Sequence, residues 1–167
     1  MTRQLLVGIL VLLSACADSG YSGPRHTSAE DGISFARLSG WQVSRERATL
    51  LLRRPGRAAT IAIRTTPRQG WSEPRDAGNV FPAVATALRA LPRAHVTGPT
   101  DVDSAEYPAV AFDVDFAPPG RGHYQRRHVT LLSDTRIIHV FLVAPAGQLA
   151  PSRRDLDTIV KSIREEG

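Results

Sequence analysis

The chain of 167 residues has a single cysteine, Cys16, and a single lysine, Lys161, against twenty arginines. One cysteine cannot form an intramolecular disulfide, so burial of apolar side chains must stabilise the fold. Aromatic residues make up only 6% of the chain, and the arginine and aromatic alternation of an RNA-binding sheet is missing. We therefore expect no nucleic-acid partner. The use of arginine in place of lysine is typical of a genome rich in G and C.

The first fifteen residues have the pattern of a secretory signal peptide. Arg3 is the only early charge, an apolar run follows over residues 5–13, and the small residues Ser14 and Ala15 come directly before Cys16. The run is too short for a permanent membrane-spanning helix, which needs about twenty apolar residues. We therefore predict that residues 1–15 target the chain for export.

The four residues Leu13-Ser14-Ala15-Cys16 resemble the bacterial lipobox. In that motif the chain is cleaved before the cysteine, whose sulfur carries a diacylglyceryl group. Several acyl chains anchor a protein stably, whereas one chain binds a membrane only marginally. The motif predicts lipidation at Cys16, with the membrane as a partner through the lipid anchor. The alternative is an ordinary signal peptide that leaves Cys16 as a free thiol.

The residues after the cysteine suggest a membrane and a tether. Ala17 stands where an aspartate commonly retains lipoproteins of diderm bacteria in the inner membrane. This favours the outer membrane, facing the periplasm, or the outer face of the plasma membrane in a monoderm organism. Residues 16–30 are polar and rich in glycine and serine, which predicts a flexible tether. A single globular domain is expected over residues 31–167.

Apolar periodicity predicts an α+β fold. Helical spacing indicates helices over 76–91 and 152–165, with Ser152 as N-cap of the second. Alternation and short apolar runs indicate strands over residues 33–35, 41–43, 48–54, 58–66, 107–116, 124–132 and 136–143. Turn-like segments separate the last three strands, which favours an antiparallel meander. We expect one antiparallel β-sheet with helices packed on both faces.

The chain resembles the PsbP-like family in the order and spacing of several short segments. These are Gly32-Ile33-Ser34-Phe35, Gly40-Trp41, Ala62-Ile63-Arg64, Tyr107-Pro108-Ala109 and Ile159-Val160-Lys161-Ser162-Ile163. The chain departs from the family at Leu38-Ser39, where proline is frequent, and at Glu106, where glycine is frequent. The resemblance implies a sandwich of an antiparallel sheet between helices, a non-catalytic assembly or binding role, and no catalytic residues to carry over.

Two neighbouring strands also carry residues that suit a metal ion. If facing residues of strands 107–116 and 124–132 sum to 241, Asp113 faces His128. That register places Val110, Phe112 and Val114 on one face with Val129 and Leu131. A tight turn at Asp134-Thr135 then sets His139 opposite Thr130 and on the face of Asp113 and His128.

A carboxylate and two imidazoles are suitable ligands for zinc or another divalent transition metal, so Asp113, His128 and His139 form a candidate metal site. The other interpretation is a cross-strand polar pair between Asp113 and His128, worth a few tenths to about 1 kcal/mol.

No nucleophile elbow of the Gly-x-Ser-x-Gly type is present. We therefore predict no enzyme and no cofactor, but a lipid-anchored envelope protein. Its domain is expected to bind, or to assist assembly of, another envelope component, with a protein as the partner. The alternative function is a lipoprotein that binds a small ligand or a divalent metal through the Asp and His cluster.

Overall fold

The computed structural model describes residues 21–68, 77–104 and 106–166. Within these residues the chain forms ten strands and two α-helices, with a 3-10 turn at Ala150–Ser152. In chain order they are β1 (Arg25–Ser28), β2 (Ile33–Ala36), β3 (Gln42–Glu46), β4 (Thr49–Arg53), β5 (Thr60–Pro67), α1 (Ala77–Arg89), β6 (His95–Asp101), β7 (Ala109–Phe116), β8 (Tyr124–Leu132), β9 (Arg136–Pro145), α2 (Arg153–Ser162) and β10 (Arg164–Glu165).

These strands form two antiparallel sheets. The larger has seven strands in the order β3-β4-β5-β9-β8-β7-β6, and the smaller has three in the order β1-β2-β10. The residues Pro55-Gly56-Arg57 have turn composition and predict a hairpin between the strands that flank them. This hairpin is confirmed, because β4 and β5 pair Leu52 with Ile61. The meander of β7, β8 and β9 is also confirmed. None of the helices in the described residues is long and apolar enough to cross a bilayer.

The larger sheet is covered on both faces, as expected. Helix α2 and strand β2 pack on one face, where the main core forms around the fully buried Phe35, Leu131 and Leu156. Helix α1 packs on the other face, over the end of the sheet that β6 and β7 form. There Leu88 meets Phe112. The fold is therefore a single α+β sandwich with one helix on each face of the sheet.

The predicted tether is too long. Residues 25–28 form β1, which pairs with β2, and Asp31 is buried beside Ser28 and Arg45. The Arg25 side chain donates to the Ser34 hydroxyl, with Nη2 at 2.7 Å from its Oγ. Backbone pairing and these polar contacts order a segment that has too little apolar surface to be recognised from composition.

The predicted register between β7 and β8 is wrong by one residue. Phe112 lies opposite His128, and Asp113 lies opposite Arg127. The prediction collected the largest apolar side chains on one face, but both faces are buried here. The face under α1 takes Phe112, while the face under α2 takes Ala111 together with Val129 and Leu131.

The last helix is shorter than predicted. Ser152 stands at its N-cap position but its side chain makes no capping hydrogen bond. The helix ends at Ser162, because Ile163 is extended and Arg164–Glu165 pairs with β2. Strand pairing thus replaces the last helical turn. The strands β1, β6 and β10 were missed, since they are short or lack apolar alternation.

Replacing Phe112 with alanine should lower the free energy of unfolding by about 3–5 kcal/mol, because its ring lies between the sheet and α1 and is only 1% exposed. Phe116, on the same face but half-buried, is the matched control, and Phe116→Ala should cost clearly less. Urea unfolding followed by tryptophan fluorescence measures both. Equal losses in the two variants would contradict this packing.

Candidate functional site

A cleft of about 490 Å³ opens between α1 and the uncovered part of the sheet. It falls in the range of roughly 300–1,000 Å³ typical of small-ligand sites. One wall is the side of α1, and the floor is the α1 face of β5, β8 and β9. The residues that line it are Thr49, Arg64, Val80, Ala83, Val84, Ala87, Leu88, Leu91, Arg126, His128, Ile137, His139 and Phe141. We call this the α1 cleft.

The floor of the α1 cleft is polar because of the strand period. Arg126, His128 and Thr130 alternate along β8 and so lie on one face. Strand β9 places Phe141 opposite His128 and His139 opposite Thr130. The predicted proximity of the two histidines is therefore confirmed: His128 Nε2 lies 3.1 Å from His139 Nδ1.

The hydrogen bonds of the floor run in one direction. A guanidinium can only donate, so Arg126 Nη2 donates to His128 Nδ1 over 2.6 Å. His128 Nδ1 is then the acceptor, and its Nε2–H donates to His139 Nδ1. His139 must carry its own proton on Nε2. The Nε2–H of His139, a residue that lines the cleft, is thus the donor left at the end of this chain of hydrogen bonds.

Both histidines are held neutral. Burial, followed by the nearby positive charge of Arg126 and by His139, lowers the pKa of His128 to about 2. Burial and the charges of Arg126 and Arg64 lower the pKa of His139 to about 4. At neutral pH neither histidine is present as the imidazolium ion, and both imidazoles are weak bases. They act here as hydrogen-bonding groups.

Arg126 carries a positive charge with no countercharge from the described residues. Burial lowers its pKa to about 10, with no opposing contribution from a carboxylate. Its Nε is buried without a hydrogen-bond acceptor among those residues. Its guanidinium carbon lies 3.9 Å from the centre of the Phe141 ring, a cation–π contact that orients the group without neutralising it. A cation in this state attracts an anion.

The wall opposite the floor is apolar. Helix α1 contributes Val80, Val84 and Leu88 at helical spacing, and Ala83 and Ala87 lie between them. Val80 and Leu88 at the ends of this stripe are buried against the sheet. The exposed alanines are small, and therefore leave room between the helix and the floor.

The three predicted metal ligands do not come together. Asp113 lies on the opposite face of the sheet from His128 and His139, because the true register pairs it with Arg127. Its carboxylate is bound by Arg127, whose Nη1 is 2.7 Å from Oδ2, and by Arg153. Within the described residues, no group of three or more histidine, cysteine or acidic side chains is arranged to hold a metal ion.

Electrostatics of the α1 cleft also favour an anion over a metal cation. Two arginines, Arg64 and Arg126, line it, and no acidic residue is among the described residues that do. His128 uses both ring nitrogens in hydrogen bonds to Arg126 and His139. A cation would have to break this chain of bonds beside two positive charges.

Sequence reasoning missed Arg126, Arg64 and Phe141 as members of the site. Arg126 is adjacent to Arg127, and neighbouring strand residues point to opposite faces, so only one of the two can reach the cleft. The register decides which one. The predicted lipidation site, Cys16, lies outside the described residues, as does the predicted signal peptide over residues 1–15.

The chain is similar to known proteins in its fold and not in its sequence. No protein-family model matches the chain, and no curated protein sequence matches it. Among solved structures, LpqN of Mycobacterium tuberculosis, described as involved in cell envelope biogenesis, is similar with a TM-score of 0.63 and 14% identity, over 89% of this chain and 87% of that one.

The cyanobacterial PsbP (CyanoP) of Synechocystis sp. PCC 6803 is similar with a TM-score of 0.55 and 14% identity, over 92% of this chain and 98% of that one. A protein of unknown function from Pseudomonas aeruginosa, PA94, described as a putative regulator, matches with a TM-score of 0.50 and 15% identity, over 73% of this chain and 97% of that one. The chain therefore has the PsbP-like fold that its sequence resemblance predicts.

Lowering the pH should destabilise the domain through these histidines. Their folded-state pKa values, about 2 and about 4, lie below the ordinary value of 6.5. Between pH 6.5 and 4 the unfolded chain therefore binds protons that the folded chain does not. The free energy of unfolding should fall by about 1–2 kcal/mol per histidine at pH 5, and these groups should have no effect above pH 7.

Urea unfolding at pH 5 and pH 7.5 measures this pH dependence. The double variant His128→Gln/His139→Gln should show a smaller difference between the two pH values than the natural chain. His123 is exposed, so His123→Gln should keep the natural difference. A double variant with an unchanged difference would show that the two buried imidazoles do not cause it.

Proposed function

We propose that this protein is a lipoprotein of the bacterial cell envelope whose PsbP-like domain binds another envelope component and catalyses no reaction. Residues 1–15 direct export, and lipidated Cys16 holds the domain at the membrane surface. The outer membrane is favoured, with the domain facing the periplasm. The observation that carries the binding role is the α1 cleft, which combines an apolar wall with a cation on its floor that has no countercharge among the described residues.

The chemistry of the cleft supports binding over catalysis. An acid–base catalyst works best with a pKa near the ambient pH. The pKa values of His128 and His139 are far below neutrality, so both imidazoles stay in one protonation state there. The cleft floor offers hydrogen-bond donors and positive charge, which can hold a ligand. These groups do not readily transfer a proton to or from a ligand at neutral pH.

The similarity to LpqN supports a place in the envelope. That protein is described as involved in cell envelope biogenesis, and it shares the fold over most of both chains. Envelope association is also what the signal peptide and lipobox predict from different residues. The two arguments are independent, since the described residues that carry the fold begin after Cys16.

Replacing Cys16 with serine should abolish lipidation, because the diacylglyceryl group is transferred to a sulfur and the serine hydroxyl cannot replace it. Cells fed an alkyne analogue of palmitate should label the natural chain and the Ser19→Ala control, but not Cys16→Ser. Membrane fractionation of the same cells gives a second measurement. Label that persists in the Cys16→Ser variant would contradict the anchor.

The domain should also retain a partner in the envelope. Intact cells are cross-linked, the chain is purified, and the recovered proteins are identified by mass spectrometry. The control is an unrelated globular domain that carries residues 1–24 of this chain, and therefore shares the predicted anchor but lacks the fold. We expect at least one protein to be enriched with the natural chain only. An identical set of proteins on both would contradict a role in binding a protein partner.

A further inference from the structure

We infer that the α1 cleft binds a single-chain amphiphile with a carboxylate head group, as in a fatty acid. The inference deepens the proposed function and rests on it for biological meaning, because an envelope is where such molecules are abundant. Its structural basis is independent of the anchor. The floor of the cleft has a cation without a countercharge among the described residues, and the wall opposite it is aliphatic.

The floor lacks an anion. Arg126 is partly withdrawn from water, and no carboxylate of the described residues forms an ion pair with it. A buried charge without a partner is costly, and removing it in favour of an apolar side chain commonly stabilises a protein. A ligand carboxylate beside Arg126 supplies the missing countercharge, and a guanidinium suits the planar geometry of that group.

The groups around Arg126 are also suited to an acceptor. Arg64 adds a second, exposed cation at the edge of the cleft. His139 Nε2–H is a donor, as the chain of hydrogen bonds from Arg126 through His128 requires. The residues that line the cleft therefore carry two guanidinium groups and one further N–H donor. A ligand with a donor head group, such as an amine, would meet like charge here.

The wall requires the ligand to be apolar elsewhere. Helix α1 lines the cleft with aliphatic side chains from Val80 to Leu88, which at 1.5 Å per residue corresponds to about 12 Å of helix. Ile137 continues this surface on the floor. A small inorganic anion would satisfy Arg126 but leave the aliphatic surface wet. An alkyl chain along α1 buries it, and each methylene that enters should strengthen binding about fourfold.

A single chain fits better than a two-chain phospholipid. The cleft volume of about 490 Å³ lies near the lower part of the range for small-ligand sites. Only one side of the cleft is lined by α1, with the strands below it. We therefore expect a free single-chain amphiphile to bind in the cleft. Phospholipids that stay in a bilayer should not compete with it for this site.

The test uses the full-length chain in nanodiscs of neutral phosphatidylcholine, with dodecanoate that carries a photoactivatable diazirine as the probe. After irradiation, mass spectrometry measures the labelled fraction and locates the label. Unlabelled dodecanoate, dodecanol and acetate compete in parallel, and nanodiscs that contain phosphatidylglycerol test the bilayer surface. The purified system contains no other protein, so its result is independent of the cross-linking experiment on cells.

Two pairs of variants separate the site from general effects. Arg126→Gln removes the floor cation, and Arg127→Gln removes the same charge from the next residue, which lies on the other face of the sheet. Ala87→Glu places a carboxylate on the apolar wall, and Thr86→Glu places it on the same helix outside the set of lining residues. Ala87 and Thr86 are both exposed, so Ala87→Glu and Thr86→Glu are both expected to fold.

We expect label on residues of α1 and of β8 or β9, displaced by dodecanoate at concentrations at least tenfold lower than by dodecanol or acetate. Labelling should fall at least tenfold in Arg126→Gln and Ala87→Glu, and stay within twofold in Arg127→Gln and Thr86→Glu. The Arg126→Gln chain should unfold at the same temperature as the natural chain or a higher one, which shows that the lost binding is not lost folding.

Three results would overturn the inference. Equal displacement by dodecanol would show that the head-group charge is irrelevant. Equal labelling of Arg126→Gln and Arg127→Gln would place the probe elsewhere. Displacement of the probe by phosphatidylglycerol nanodiscs alone, without displacement by free dodecanoate, would indicate recognition of a bilayer surface. Each outcome leaves the envelope location and the protein partner to be decided by their own experiments.

Discussion

Burial of the larger sheet on both faces is the constraint on which the rest of this structure depends. A strand in the interior of such a sheet needs apolar side chains at both odd and even positions. Strand β7 meets this need with Val110 and Phe112 toward α1 and Ala109 and Ala111 toward α2.

The two faces are not covered equally, and that inequality creates the site. Helix α2 and the smaller sheet close one face over a large core. Helix α1 is offset toward β6 and β7, so β8, β9 and β5 remain open beside it. Polar residues on this side, such as Arg126 and His139, therefore stay within reach of a ligand. The same residues under a centred helix would be sealed in the core.

The site also illustrates a conflict between stability and binding. A neutral imidazole pair and an arginine that has no countercharge in the described part of the chain are not what the most stable core would contain. Phe141 and His128 hold the guanidinium by a cation–π contact and a hydrogen bond, so its position is defined without an ion pair to any described residue. Such preorganisation lowers the entropic cost of binding a partner of the opposite charge.

The sequence by itself determined both helices, seven of the ten strands and their order, because strand and helix periods are local properties. Turn-like segments predicted the β4 and β5 hairpin and the final meander, and the short turn between β8 and β9 predicted the proximity of His128 and His139. Only the tertiary structure decided the register of β7 against β8, since the long turn between them allows a shift of one residue and the burial of both faces selects among registers. That shift moved Asp113 to the other face, away from the histidines, whereas Arg126 shares the face of His128 in either register because it lies two residues before it on β8.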